Sequence, residues 1–213
     1  MTHALPGYVC PDDGARADVR TAPWRCPLCA GPWDLDFTPD PAAPLNPAAG
    51  PPSLWRYGSA LPLPGAFAVT LSEGNTPLVP MAERIHAKLD YLMPTLSFKD
   101  RGAVMLAEVA RRLAPRRVVA DSSGNAGTAV AAYCARAGLS CEVFVPEGTS
   151  ERKTGQMRAH GATVRVVPGG REAAARAARA APHQPRGVYP PHRIKPTIFV
   201  LNTTDPADDQ ARV

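Results

Sequence analysis

No run in this 213-residue chain approaches the roughly 18 consecutive apolar residues of a membrane-spanning helix, so a membrane protein of that kind is not expected. Aromatics are scarce at 6%, and the only tight basic group is Arg111, Arg112, Arg116 and Arg117. A nucleic-acid surface needs basic residues clustered on one face or interleaved with aromatics, so these arginines read as solvated charge around a helix end and no nucleic-acid partner is expected. The start, MTHALPGYVC, lacks a basic segment followed by an apolar one, which removes a secretory signal and predicts a cytoplasmic protein. Lysine is rare too: 4 Lys stand against 20 Arg, a bias of composition rather than of function. What is present, 45% hydrophobic and 20% charged residues with a net charge of +5, is the make-up of a globular domain.

Five cysteines, an odd number, argue against a disulfide framework. Cys134 lies in an alanine-rich apolar stretch and Cys141 in a strand-like one, so both read as small buried apolar residues. Cys26-Pro27-Leu28-Cys29 has the spacing that lets two thiolates reach one zinc from a knuckle turn. Cys10-Pro11-Asp12-Asp13 stands where a second knuckle belongs, with Asp13 in place of its second cysteine. Two readings stay open: a zinc site built on Cys10, Cys26 and Cys29 with a carboxylate, or a decayed ribbon whose knuckle no longer closes.

Proline divides the chain. Residues 1–65 hold 13, residues 66–181 hold 6 and residues 182–213 hold 6. Because proline interrupts helices and central strands, the ordered elements are expected in 66–181. The division is a zinc-ribbon-like segment over 1–37, a Pro/Ala-rich linker over 38–65 pinned onto the next domain by Trp55 and Tyr57, a domain over 66–181, and a divergent Pro-rich tail over 182–213 with one strand-like run, Thr197–Leu201.

Within 66–181, Phe67–Leu71 reads as a strand, and Ile85 to Tyr91 alternates as a half-buried one. Ser97 and Asp100 have the S-x-x-D spacing of a capping box, followed by Ala103, Leu106, Ala107, Ala110 and Leu113 at helical period until Pro115. Three strand–helix units come next. Their strands are Arg117–Ala120, Cys141–Val145 and Thr163–Val167; their helices run from about Ala126 to Ala137, from a Ser150 cap to near Gly161, and from Gly169-Gly170 to Pro182. The fold class is therefore α/β, a parallel sheet wrapped by helices through right-handed crossovers.

Two places carry chemistry. Lys99 falls in the first turn of a helix, whose positive end favours the neutral, nucleophilic amine. On position alone, a surface lysine at a helix start is the plainer reading. The loop Ser122-Ser123-Gly124-Asn125-Ala126-Gly127 joins a strand's carboxyl end to a helix N-terminus, where small residues and outward amides make an anion site; a tight turn needing glycine for steric reasons is the alternative.

Together the motifs Glu73-Gly74-Asn75-Thr76-Pro77, Ser97-Phe98-Lys99-Asp100-Arg101-Gly102 and Ser122–Gly127 resemble those of the fold-type II pyridoxal-phosphate enzymes. Within that family the S-F-K-D-R-G form and Leu89-Asp90-Tyr91-Leu92-Met93-Pro94-Thr95 are similar to the threonine synthases, some of which also have an N-terminal cysteine ribbon. The resemblance covers roughly residues 67–181. It implies that Lys99 holds pyridoxal 5'-phosphate as a Schiff base and shuttles protons, that Asn125 bonds the cofactor's phenolate oxygen, and that Ser122, Ser123, Gly124, Asn125 and Ala126 hold the substrate carboxylate. The implied reaction is a lyase step of amino-acid biosynthesis that turns O-phospho-L-homoserine, a phosphorylated amino acid, and water into L-threonine and phosphate. Threonine dehydratase-like or cysteine synthase-like activity, or a non-catalytic fragment with a Trp24/Trp33 binding surface, are the alternatives.

Two departures from the family stand out. Leu96 replaces the glycine usual before the serine of S-F-K-D, where a side chain would crowd the pocket or force a backbone change. The other is length: the family's C-terminal half, with its phosphate loop, has no counterpart here. A truncated, poorly active form with an incomplete large domain, exposed apolar surface and self-association is the resulting expectation.

Overall fold

The computed structural model describes residues 5–19, 25–42, 50–63, 65–115 and 117–181. Trp24, Arg116 and the tail 182–213 with its expected strand lie outside them.

Three two-residue strands, β1 (Tyr8–Val9), β2 (Arg16–Ala17) and β3 (Asp34–Leu35), form the N-terminal sheet, with β1 antiparallel to both neighbours. A 3-10 helix follows at Leu54–Ala60. The strands β4 (Leu78–Ala82) and β5 (Ile85–Lys88) make an antiparallel hairpin, and the helix α1 (Lys99–Leu113) follows a short 3-10 turn at Asp90–Leu92. Then the expected units appear in order: β6 (Val118–Asp121), α2 (Asn125–Arg136), β7 (Cys141–Pro146), α3 (Glu151–Ala159), β8 (Thr163–Val167) and α4 (Arg171–Ala180).

The sheet β6-β7-β8 is parallel throughout, with Val118 opposite Cys141 and Val143 opposite Val164. Period-two alternation puts Cys141, Val143 and Val145 on one face of the central strand. There they pack with Val118, Val130, Ala131, Cys134, Met157 and Ala162 in one apolar core, which Leu106 and Ala110 of α1 also enter. Helix α4 lays Ala174, Ala175 and Ala178 across the same strands. A second core joins Ala103, Val104 and Ala107 of α1 to Ala129 and Tyr133 of α2 and to Trp55, Leu63 and Val69. Small residues at the α1–α2 contact let the two helices lie close.

Trp55 is buried and stacks on Phe67 with ring centroids 4.0 Å apart, while Tyr57 is exposed. Helix ends follow their residues. Ala114, with φ 48°, closes α1 just before Pro115, and Gly138, with φ 69°, takes the left-handed turn after α2.

Four local expectations fail. Phe67–Leu71 pairs with no strand among the described residues. Side chains take the place of the ladder: Glu108 Oε2 accepts from the Ala68 and Val69 amides at 3.1 Å each, Trp55 Nε1 donates to Val69 O at 2.6 Å, and Arg136 Nε to Thr70 O at 2.8 Å. The alternation from Ile85 to Tyr91 does not bury Ile85, and Tyr91 belongs to the 3-10 turn. The Ser97/Asp100 capping box does not form, because the Asp100 carboxylate goes to Thr95 instead. Ser150 precedes α3 without a capping side-chain bond.

Glu108 is the fully buried charge that holds this layout. Arg111 Nη2 and Arg112 Nε reach its Oε1 at 2.7 and 2.9 Å, so both oxygens are occupied. Burial pushes the Glu108 carboxyl up, but Arg111, Arg112 and the two amides outweigh it and hold the carboxyl below its ordinary range.

Candidate functional site

Lys99 opens α1 and is only 3% exposed, so the plainer surface-lysine reading is set aside. Its amide donates to Ser97 Oγ at 3.2 Å, and its Nζ lies 4.4 Å from the centre of the Phe98 ring. The turn before it is tightly fixed. Asp100 Oδ2 accepts from Thr95 N at 2.8 Å, and the Thr95 hydroxyl donates to Asp100 Oδ1. Burial raises the Asp100 carboxyl, and the two Thr95 bonds oppose that rise. Leu96 sits inside this turn with φ 64°, a left-handed backbone, and its side chain is 64% exposed. The side chain at this position therefore does not crowd the interior: it turns to solvent, and the left-handed backbone carries the strain.

Glu73 and Asp100 are both fully buried, and so is the Tyr133 hydroxyl, which has no hydrogen-bond partner among the described residues. Burial, then the charges of Glu73 and Asp100, push the Tyr133 phenol up. Glu73 is occupied by Thr70 Oγ1 at 3.2 Å and the Leu71 amide at 2.9 Å.

The motifs quoted from the sequence are physically joined. Arg101 makes a two-pronged bond to Asp90, Nη2 to Oδ1 at 2.8 Å and Nε to Oδ2 at 3.0 Å. Thr76 Oγ1 donates to the same Oδ1 at 2.8 Å, and Gly74 N points to Met93 Sδ at 3.2 Å. The Arg101 guanidinium holds the Asp90 carboxyl below its ordinary range. Sequence reasoning saw these residues only as family letters; opposite charges eleven positions apart gave no periodic signal that they meet.

The loop before α2 folds as a turn around one hydroxyl. Ser122 Oγ accepts from the Gly127 amide at 3.0 Å and from the Gly124 amide at 3.4 Å, which leaves its one proton to offer a ligand. Thr128 N reaches Gly124 O at 3.3 Å. The first four amides of a helix have no partner inside it. Those of Asn125 and Ala126 find no acceptor among the described residues. Gly127 is required: a Cβ there would come 2.6 Å from Ser122 O and 2.9 Å from Met157 Cε.

At the N-terminus, the ligand atoms of Cys10, Asp13, Cys26 and Cys29 all lie within 4.8 Å of one another, close enough to hold a metal ion. Cys10 and Cys26 are buried; Cys29 and Asp13 are exposed. The Ala15 amide, then the Cys26 and Cys29 thiols, hold the Asp13 carboxyl down at about 2. The Gly31 amide pulls the Cys29 thiol down, but Asp13, Cys10 and Cys26 together push it up to about 12. Cys134 and Cys141 are buried free thiols, as expected.

A strand–helix sheet with an amide-lined turn at a strand's carboxyl edge and a buried lysine at a helix start describes a cofactor-dependent α/β enzyme in outline. Residues 69–204, more than half of the chain, match the family "Pyridoxal-phosphate dependent enzyme", and the chain belongs to it. The match continues past residue 181, where the motifs had suggested that the resemblance stops. The relatives are more particular. The chain is 36% identical over 135 residues to a threonine synthase of a Bacillus species, covering 59% of this chain and 38% of that protein. It is 41% identical over 109 residues to the threonine synthase of Halalkalibacterium halodurans, covering 47% and 31%. With that of Methanosarcina acetivorans it shares 38% over 127 residues, covering 55% and 31%. The chain thus spans about a third of the length of these relatives. Among solved structures, an O-acetylserine dependent cystathionine beta-synthase from Helicobacter pylori is 28% identical with a TM-score of 0.46, over 50% of this chain and 40% of that one. No helix among the described residues is long and apolar enough to cross a membrane.

Proposed function

We propose that this chain carries the lysine-bearing part of a threonine synthase-like lyase, which converts O-phospho-L-homoserine and water to L-threonine and phosphate with pyridoxal 5'-phosphate. The observation that carries the reading is the 36–41% identity to threonine synthases over about half of the chain, together with a buried Lys99 inside the residues 69–204 that match the family. The residues present suit the cofactor and its substrate: an amine shielded from water for the cofactor's aldehyde, and two unpaired amides at a helix start for the substrate's carboxylate. When bound, pyridoxal phosphate supplies an electron sink for the carbanion chemistry.

This chain's residues then have the following tasks. Lys99 would hold the cofactor through its aldehyde carbon, the carbonyl oxygen leaving as water, and its Nζ would move protons at the substrate's carbons. Asp100 and Thr95 hold the turn that aims it. The Asn125 side chain bonds the cofactor's ring oxygen. The amides of Asn125 and Ala126, with Ser123, Gly124 and the Ser122 hydroxyl proton, take the substrate carboxylate.

The test is borohydride reduction of the purified chain with pyridoxal phosphate, peptide mapping, and assay of O-phosphohomoserine turnover. Label on Lys99, lost in Lys99→Ala, with little turnover of O-phosphohomoserine, as expected of a poorly active form, is the expected result. Label elsewhere refutes the assignment of the amine. Turnover of another amino-acid substrate instead would favour a dehydratase-like or cysteine synthase-like reading. At the N-terminus, the three thiols of Cys10, Cys26 and Cys29 are read as zinc ligands in a cytoplasmic protein.

A further inference from the structure

The two N-terminal turns correspond bond for bond. In the first, Gly14 N donates to Cys10 O at 2.9 Å and Cys10 N to Ala15 O at 2.7 Å. In the second, Ala30 N donates to Cys26 O at 2.9 Å and Cys26 N to Gly31 O at 3.0 Å. Each has a left-handed residue at the matching place, Gly14 with φ 76° and Ala30 with φ 60°. The last correspondence is chemical. Gly31 N donates to Cys29 Sγ at 3.3 Å, and Ala15 N donates to Asp13 Oδ1 at 2.8 Å. In each turn, the amide two residues on bonds the second ligand-bearing side chain and sets its direction. Leu28 N also donates to Cys26 Sγ at 3.4 Å, so both thiols of the second turn carry the amide bonds that suit a thiolate.

We propose that Asp13 is the fourth ligand of a tetrahedral zinc site completed by Cys10, Cys26 and Cys29, an oxygen donor standing where the other turn has a sulfur. This rests on the zinc reading of the three thiols and adds the residue that closes the site. Asp13 uses Oδ1 for the Ala15 amide and turns Oδ2 into the cluster, 3.1 Å from Cys26 Sγ, while Cys10 and Cys29 sulfurs lie 3.4 Å apart. Asp12 is the control that geometry provides. It is adjacent in sequence and identical in charge, but its Oδ2 lies 3.9 Å from Cys29 Sγ on the exposed side. Three thiolates and one carboxylate carry four negative charges against the ion's two, as four thiolates would, so the exchange leaves the site's net charge unchanged. It replaces a soft donor by a hard one on the exposed side.

The experiment loads the full chain with Co2+, whose absorption reports both tetrahedral geometry and thiolate number, then displaces it with Zn2+ against a chromogenic chelator. One equivalent per chain, tetrahedral bands and charge transfer matching three thiolates are expected. Asp13→Ala weakens metal affinity at least tenfold, Asp12→Ala leaves it within twofold, and Asp13→Cys adds a fourth thiolate's charge transfer and tightens binding. If Co2+ binds with three-thiolate absorption but Asp13→Ala and Asp12→Ala behave alike, Asp13 is no ligand and only the three-thiol reading survives. If no stoichiometric metal binds to the wild-type chain, both readings fall. Circular dichroism of each variant in the metal-loaded state separates lost ligation from lost folding.

Discussion

The N-terminal segment and the strand–helix units solve the same problem in opposite ways. Residues 117–181 bury a continuous apolar layer, from Val118 through Val143 and Val145 to Met157. Among the described residues of the first 37 there are three strands of two residues each, and the fully buried ones are Cys10 and Cys26. A segment that small cannot bury enough apolar area to offset its chain entropy, and the proposed metal site is the cross-link that would hold it. In one region the sequence pattern is a periodicity; in the other it is a spacing between a few polar atoms.

The largest effect should come from removing that cross-link. Cys26→Ser is expected to abolish hydrogen-exchange protection across Tyr8–Leu35 while leaving β6, β7 and β8 protected as before. Equal loss in both regions would erase the contrast. Next, Glu108→Ala should cost about 3–5 kcal/mol in urea unfolding, because two arginines and two buried amides lose their acceptor. A cost under 1 kcal/mol would show that water replaces the carboxylate. Gly127→Ala is expected to cost about 1–3 kcal/mol by forcing the Ser122 turn apart, and to reduce cofactor labelling of Lys99 in the same sample. Leu96→Gly should stabilise by about 1 kcal/mol through relief of the left-handed strain.

The pH dependence is the subtlest test. Glu108 and Asp90 have carboxyls held below their unfolded values, so their contribution is present above the ordinary carboxylate range and is lost as pH falls through the lowered values. Asp100 and Asp121 are raised by burial, so theirs is present below that range and is lost as pH rises through the raised values. Glu108→Gln should flatten the acid limb of a stability–pH curve and leave the Asp100 limb in place.

The three strand–helix units were legible to within a residue or two, because the apolar runs are short, alternate with helical spacing, and are punctuated by Gly138, Gly161 and Gly169. Phe67–Leu71 was not, since strand-like composition cannot show whether a partner strand exists; here side chains of Glu108, Trp55 and Arg136 satisfy the backbone. The capping box failed for a similar reason: Asp100 had a competing donor pair in Thr95, which spacing does not reveal. At the hairpin, apolar letters misled in another way. Leu78, Met81 and Ile85 are exposed, with Tyr91 and Leu92 beside them in sequence. This is the apolar surface expected from the sequence, and charged replacements of Met81 and Ile85 should lower any concentration-dependent association in sedimentation.

By itself the sequence determined the order of the three strand–helix units, the place of Lys99 at a helix start and the two thiol-bearing turns, because periodicity, breakers and ligand spacing act over a few neighbouring residues. Tertiary structure decided which charges are buried and what they bond. It joined Thr76, Asp90 and Arg101, gave Glu108 its four partners, and turned Asp13 rather than Asp12 toward the cysteines. Those outcomes depend on groups far apart along the chain competing for the same donors once water is excluded, and no local pattern encodes that competition.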